Sequence, residues 1–146
     1  MVQYDLNIIR RYIEQDIKDC GYNKEFNFKY ELDDESLQLT ATTNLGNLDD
    51  MYIIITANNG GGCSMSVVFN KVDETTRSLE ILNSFNLNNS YFKAYIADNG
   101  YLVIKHFYII QDEESYTDCV GEFLYRAKKL PDDNDVQKLY SLSYVE

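Results

Sequence analysis

The sequence predicts an α+β chain: a twisted antiparallel sheet with helices packed on it, in the order α-β-β-β-β-α-β-β-α. Three observations predict it. Apolar residues recur at spacings of three and four near both ends of the chain, the mark of amphipathic helices. Between them, several short runs alternate apolar and polar residues at period two, the mark of half-buried strands. Turn-forming clusters separate those runs, above all Asp98-Asn99-Gly100.

The first helix spans Leu6 to Cys20, where Leu6, Ile9, Ile13, Ile17 and Cys20 share a face and Gly21 follows as a stop. Phe26, Phe28, Tyr30 and Leu32 alternate with polar residues in strand one. Leu37, Leu39 and Ala41 do the same in strand two, after the Asp33-Asp34-Glu35 turn. Asn44 to Asp50 connects to strand three, Met51 to Ala57, and the permissive turn Asn58 to Gly62 leads to Met65, Val67 and Phe69 in strand four. A meander is the simplest wiring. Val72, Leu79, Leu82 and Phe85 then return to helical spacing, with Asp73 or Thr75 as a cap. Tyr91 to Ala97 and Tyr101 to Ile110 form a hairpin around Asn99-Gly100, a pair suited to a two-residue type I′ turn. Tyr116, Cys119, Val120, Phe123, Leu124 and Ala127 make one face of the last long helix, closed by Pro131, with room for a further short helix over Asp132 to Tyr140.

No linker or internal repeat divides the 146 residues, so residues 1–146 read as a single domain. The net charge of −11, from 24 acidic and 13 basic side chains, argues against nucleic acid and anionic membranes as partners. No apolar run is long enough to span a bilayer, and Met1 to Asp5 lacks the features of a signal peptide, so a cytoplasmic location is expected. Cys20, Cys63 and Cys119 form neither a disulfide framework nor a zinc ribbon and read as unreactive or buried thiols.

Motifs for chemistry are sparse, and no catalytic, cofactor-binding or metal-ligating residue is assigned. His106, the single histidine, has no identifiable nucleophile partner and reads as a packed strand residue. Gly60-Gly61-Gly62 precedes a strand rather than a helix, so it reads as a flexible hairpin tip and not a phosphate loop. The acidic clusters at Asp33, Asp49, Asp112 and Asp132 lack the EF-hand pattern and fall in turns or caps. The last hairpin carries more. A two-residue loop would set Ile96 opposite Val103, Ala94 opposite Lys105 and Phe92 opposite Phe107. Tyr91, Lys93, Tyr95, Leu102, Ile104, His106 and Tyr108 would then share the other face. Such an aromatic surface suits a protein contact, with Tyr91, Tyr95, His106 and Tyr108 as the candidate partner-binding residues. Cover by the C-terminal segment with Tyr140, Leu142 and Tyr144 explains it equally well.

From Leu79 to Leu130 the chain resembles the YbjN-like family of small bacterial proteins, described as sensory transduction regulators. The resemblance is carried by Leu82-Asn83-Ser84-Phe85-Asn86, Phe92-Lys93-Ala94-Tyr95, Asp98-Asn99-Gly100, Leu102-Val103-Ile104 and the closing helix. That family is similar in fold to type III secretion chaperones, which are acidic, cytosolic and usually homodimeric. The resemblance implies a non-enzymatic regulatory or chaperone-like module that captures an apolar segment of another polypeptide, or pairs with itself. An immunity or antitoxin-like protein that masks a basic partner is the alternative expectation from charge.

Overall fold

The computed structural model describes residues 3–145. Helix α1 (Leu6–Asp19) buries the stripe Leu6, Ile9, Ile13 and Ile17. The Asp5 carboxylate accepts hydrogen bonds from the Asn7 and Ile8 N–H groups and caps its start. Gly21, at φ 76°, ends it in the left-handed conformation that glycine adopts without strain.

Four strands follow as a meander: β1 (Lys29–Leu32), β2 (Ser36–Leu45), β3 (Leu48–Asn58) and β4 (Gly62–Lys71). Next come α2 (Thr76–Asn88), β5 (Lys93–Ile96), β6 (Tyr101–Ile109), α3 (Ser115–Ala127) and α4 (Asn134–Leu142). The strands form one sheet in the order β1-β2-β3-β4-β6-β5, with every neighbouring pair antiparallel. The element order is the one the periodicities predict, and the C-terminal helix is present.

Local differences have local causes. β1 starts later than its alternation suggests, because Phe26 leaves the strand path and is buried, edge-on to Tyr22 and stacked with Phe28. Between β2 and β3 the chain turns tightly, with Leu45 opposite Leu48 and Gly46 at φ 56°, so little of the predicted connection remains. Thr75, not Asp73, caps α2. Its side chain accepts from the Ser78 N–H at 3.1 Å, while Ser78 Oγ accepts from the Thr75 N–H at 2.8 Å.

The pleat divides the sheet into two unlike faces. Leu37, Leu39, Ile53, Ile55, Met65, Val67 and Ile104 are fully buried on one face, in a single core with the buried residues of α1, α2, α3 and α4. The alternate residues Thr40, Ile54, Thr56, Ser66 and Val68 remain partly accessible on the other. The helix layer is therefore one-sided.

Helices α1 and α3 cross closely at Gly121, where an added Cβ would lie 2.5 Å from Asp16 Oδ2. That oxygen is buried, and its hydrogen-bonding capacity is unfilled among the described residues. Burial pushes the Asp16 carboxyl above its ordinary value of 3.8; the Cys20 thiol and the Gly121 N–H pull it back in part, and the nearby charges of Asp118 and Asp19 add to the rise. The folded protein thus holds this proton more tightly than the unfolded chain, so the group costs stability as pH rises from 3.8 through the raised value. Asp16→Asn should raise Tm at neutral pH and change it little at about pH 3, where both states are protonated. Equal effects at both pH values in a thermal melt would contradict this.

Candidate functional site

The β5–β6 hairpin decides where the candidate aromatic residues go, and its loop has three residues, not two. The Gly100 N–H donates to the Ala97 carbonyl and the Ala97 N–H to the Tyr101 carbonyl, both at 2.8 Å. Gly100 takes φ 89°, and Asn99 stays out of the positive-φ region that a type I′ turn requires. This is a turn closed by a glycine bulge. Ile96 therefore faces Leu102, Tyr95 faces Val103, Ala94 faces Ile104 and Lys93 faces Lys105. The slip of one residue transfers each side chain of one strand to the opposite face relative to the other.

The predicted aromatic surface is consequently split in two. Tyr95 lies on the open face with Val103, whereas Leu102, Ile104, His106 and Tyr108 point to the helix side, as their pairing with Val67, Met65 and Cys63 requires. Tyr91 precedes β5 and also joins the helix side, stacked on His106 with ring centroids 3.7 Å apart and planes 8° apart. The four candidates do not form one surface. In the C-terminal segment, Tyr144 pairs with Lys71 at the end of β4, and its hydroxyl donates to Asp73 Oδ1.

On the helix side, Tyr91, His106 and Tyr108 line a half-open cleft of about 330 Å³ against Ser115, Asp118, Cys119 and Glu122 of α3. The His106 Nδ1 lies 2.8 Å from the Tyr91 carbonyl. A carbonyl can only accept, so this nitrogen carries a proton, and in the neutral ring Nε2 is the free acceptor. Arg126 stands 4.4 Å over the Tyr91 ring and pairs with Glu122 at 2.9 Å. Burial raises the Tyr91 hydroxyl well above its ordinary range, so it stays protonated. Behind the cleft, Cys63 is fully buried, and its thiol is pushed up by a hydrogen bond with Cys119 and by burial. Both are packed thiols, while Cys20 is exposed.

On the open face, no helix among the described residues lies over the sheet. Tyr52, Tyr95, Tyr101, Phe107 and Ile109 are exposed there, the last two at 57% and 63%. β5 covers β6 only as far as Lys105, so among the described residues no strand lies beside the Phe107–Ile109 end of β6 on that edge. Phe107 and Ile109 are the residues the sequence reading missed as surface. The glycine of Asp98-Asn99-Gly100 was the available signal, because a three-residue loop with a bulge fits it as well as a two-residue turn.

The remaining motifs are structural. Gly61 is buried, and the Asn58 side chain accepts from the Gly60 and Gly62 N–H groups at 2.9 and 3.0 Å. Asp112 Oδ1 accepts from the Ser115 N–H and hydroxyl, both at 2.9 Å, and Asp133 caps α4 through the Val136 N–H. Among the described residues no group of three His, Cys, Asp or Glu is arranged to hold a metal ion, and no helix is long and apolar enough to cross a membrane. Compared with family models, curated proteins and solved structures, the chain matches none of them.

Proposed function

We propose that this chain is a non-enzymatic protein-binding module, regulatory or chaperone-like and cytoplasmic, as its resemblance to the YbjN-like family implies. It captures an extended apolar segment of another polypeptide on the open sheet face along β6. The observation that carries this reading is the coincidence, at one place, of exposed Phe107 and Ile109 with a strand end that lacks a neighbour. An added strand would gain main-chain hydrogen bonds from the edge and apolar contacts from the face. Tyr95 and Val103 extend the apolar strip toward β5. A second copy of the chain is the other occupant of this kind, which would make a homodimer.

Charge argues for an apolar rather than a basic partner at this face. By the strand register Lys29, Lys93 and Lys105 stand there with Glu31, and Asp50 lines the same surface beside Tyr52, although the whole chain carries −11. The surplus acid lies elsewhere, so a protein that masks a basic partner would have to use the helix side.

Replacing Phe107 and Ile109 together by threonine puts strand-favouring β-branched residues at both positions while removing both apolar anchors. In a pull-down from native extract, the double variant should lose its specific polypeptide by more than about tenfold, with Tm unchanged. Capture by the unaltered chain should persist at high salt, as apolar burial is not screened. Equal capture by both proteins would end this reading. Sedimentation of the purified chain distinguishes a second copy from a foreign segment.

A further inference from the structure

We propose that the cleft between β6 and α3 is a binding site for an alkyl-guanidinium cation. It lies on the helix side of the sheet, so it does not depend on the use of the open face.

The walls specify the ligand. The cleft of about 330 Å³ is in the size range of small-ligand sites and has room for an arginine-sized side chain. Its aromatic wall is His106, stacked on Tyr91, with the Tyr108 ring centroid 6.5 Å from that of His106 and tilted by 31°. Its opposite wall offers the Asp118 carboxylate, with Glu122 one turn further along α3 already paired to Arg126. The protonated Nδ1 of His106 is committed to the Tyr91 carbonyl, so the ring has only an acceptor left to offer in its neutral form. Aromatic faces and acceptors together suit a planar, donor-rich cation and repel phosphate or carboxylate ligands.

The protein already builds this arrangement once, on the neighbouring side of the same aromatic stack. There the Arg126 guanidinium lies over the Tyr91 ring at 4.4 Å and pairs with Glu122 at 2.9 Å. Inside the cleft, Tyr108 and Asp118 supply the same two groups, an aromatic ring and a carboxylate. Asp118 is in none of the ion pairs found among the described residues, which join Arg10 to Glu14, Arg126 to Glu122 and Lys128 to Glu25. Its charge is also felt by Asp16 across the α1–α3 contact, where no cation offsets it. A bound cation would neutralise Asp118 and relieve that repulsion. Guanidinium is favoured over ammonium because it stacks on a ring and engages a carboxylate through two N–H groups at once.

His106 is the only histidine in the chain, so its ring C–H signals are a single, unambiguous NMR reporter inside the cleft. The full chain is titrated at constant ionic strength with n-butylguanidine, N-acetyl-arginine amide and butylamine, each a monocation at neutral pH. The two guanidinium probes should shift the His106 signals saturably, and butylamine should bind about tenfold more weakly. Asp118→Asn should weaken guanidinium binding about tenfold, the loss of one charge-assisted hydrogen-bonding partner. Tyr108→Leu should weaken it about fivefold by removing the ring. Asp118 is exposed, and its replacement removes a repulsion along with an acid from the first turn of α3, so that variant should stay folded and melt close to the parent. Tighter binding of n-butylguanidine assigns the site to a free cation, and equal or tighter binding of the arginine amide assigns it to a polypeptide side chain. Both support the proposal. No saturable shift, equal binding of butylamine, or unchanged affinity in both variants overturns it.

Discussion

Phe123→Ala should lower the stability of the fold by about 3–5 kcal/mol, the range for emptying a buried aromatic site. Phe123 is fully buried in α3, and its ring meets Phe92 edge-on at 6.0 Å, just ahead of β5. The ring therefore ties the last long helix to the outer edge of the sheet. A loss of that size is a large part of the roughly 5–15 kcal/mol by which domains of this kind are stable. Urea denaturation should show the midpoint falling steeply for this variant. By contrast Leu87→Ala, at a site 77% exposed, should stay within about 0.5 kcal/mol. Similar midpoints for the two variants would mean that Phe123 is not a core residue.

Gly61→Ala should cost about 2–4 kcal/mol, combining a left-handed backbone with a steric clash. Gly61 has φ 100°, and a Cβ there would meet the Tyr4 ring at 3.0 Å and the Ile110 carbonyl at 3.4 Å. Its carbonyl accepts from the Ile110 N–H at 2.9 Å, and the Tyr4 N–H donates to the Asn59 carbonyl at 2.8 Å. The turn thus joins the start of α1, the start of β4 and the end of β6. Gly60→Ala is the control: its φ is not positive and its Cβ would meet only Asn58 Oδ1 at 3.3 Å. It should cost well under half as much, and equal losses in thermal melts would show that neither φ nor packing sets the requirement. The same residues read in sequence as a loose hairpin tip, because three glycines in a row say nothing about what packs on them.

Periodicity carried the element order because each element has one buried face, and a face is a local pattern. Ile9, Ile13 and Ile17 are buried where their spacing puts them, as are Val120, Phe123 and Leu124. Boundaries were less legible. Phe26 alternates like a strand residue yet packs beside Tyr22, and Leu79 keeps helical spacing yet is 49% exposed, with Ile81 buried instead. The candidate site failed at one step, the loop length of the last hairpin. Asn99-Gly100 is compatible with two registers, and only the bonds between Ala97, Gly100 and Tyr101 choose between them. That choice moved Tyr95 away from His106 and Tyr108 and brought Phe107 and Ile109 to the surface. Asp118 and Glu122 were invisible as a site because they meet His106 only when α3 folds back over β6.

By itself, the sequence determined the α+β class, the order of the strands and helices along the chain, and most of the buried stripe of each, since these follow from local spacing and turn chemistry. Only the tertiary structure decided which face of β6 meets the helices, which face stays open and which side chains share the cleft. Those depend on a one-residue register and on contacts between segments distant in sequence, such as Gly61 with Ile110 and Tyr108 with Cys63. No local pattern encodes them.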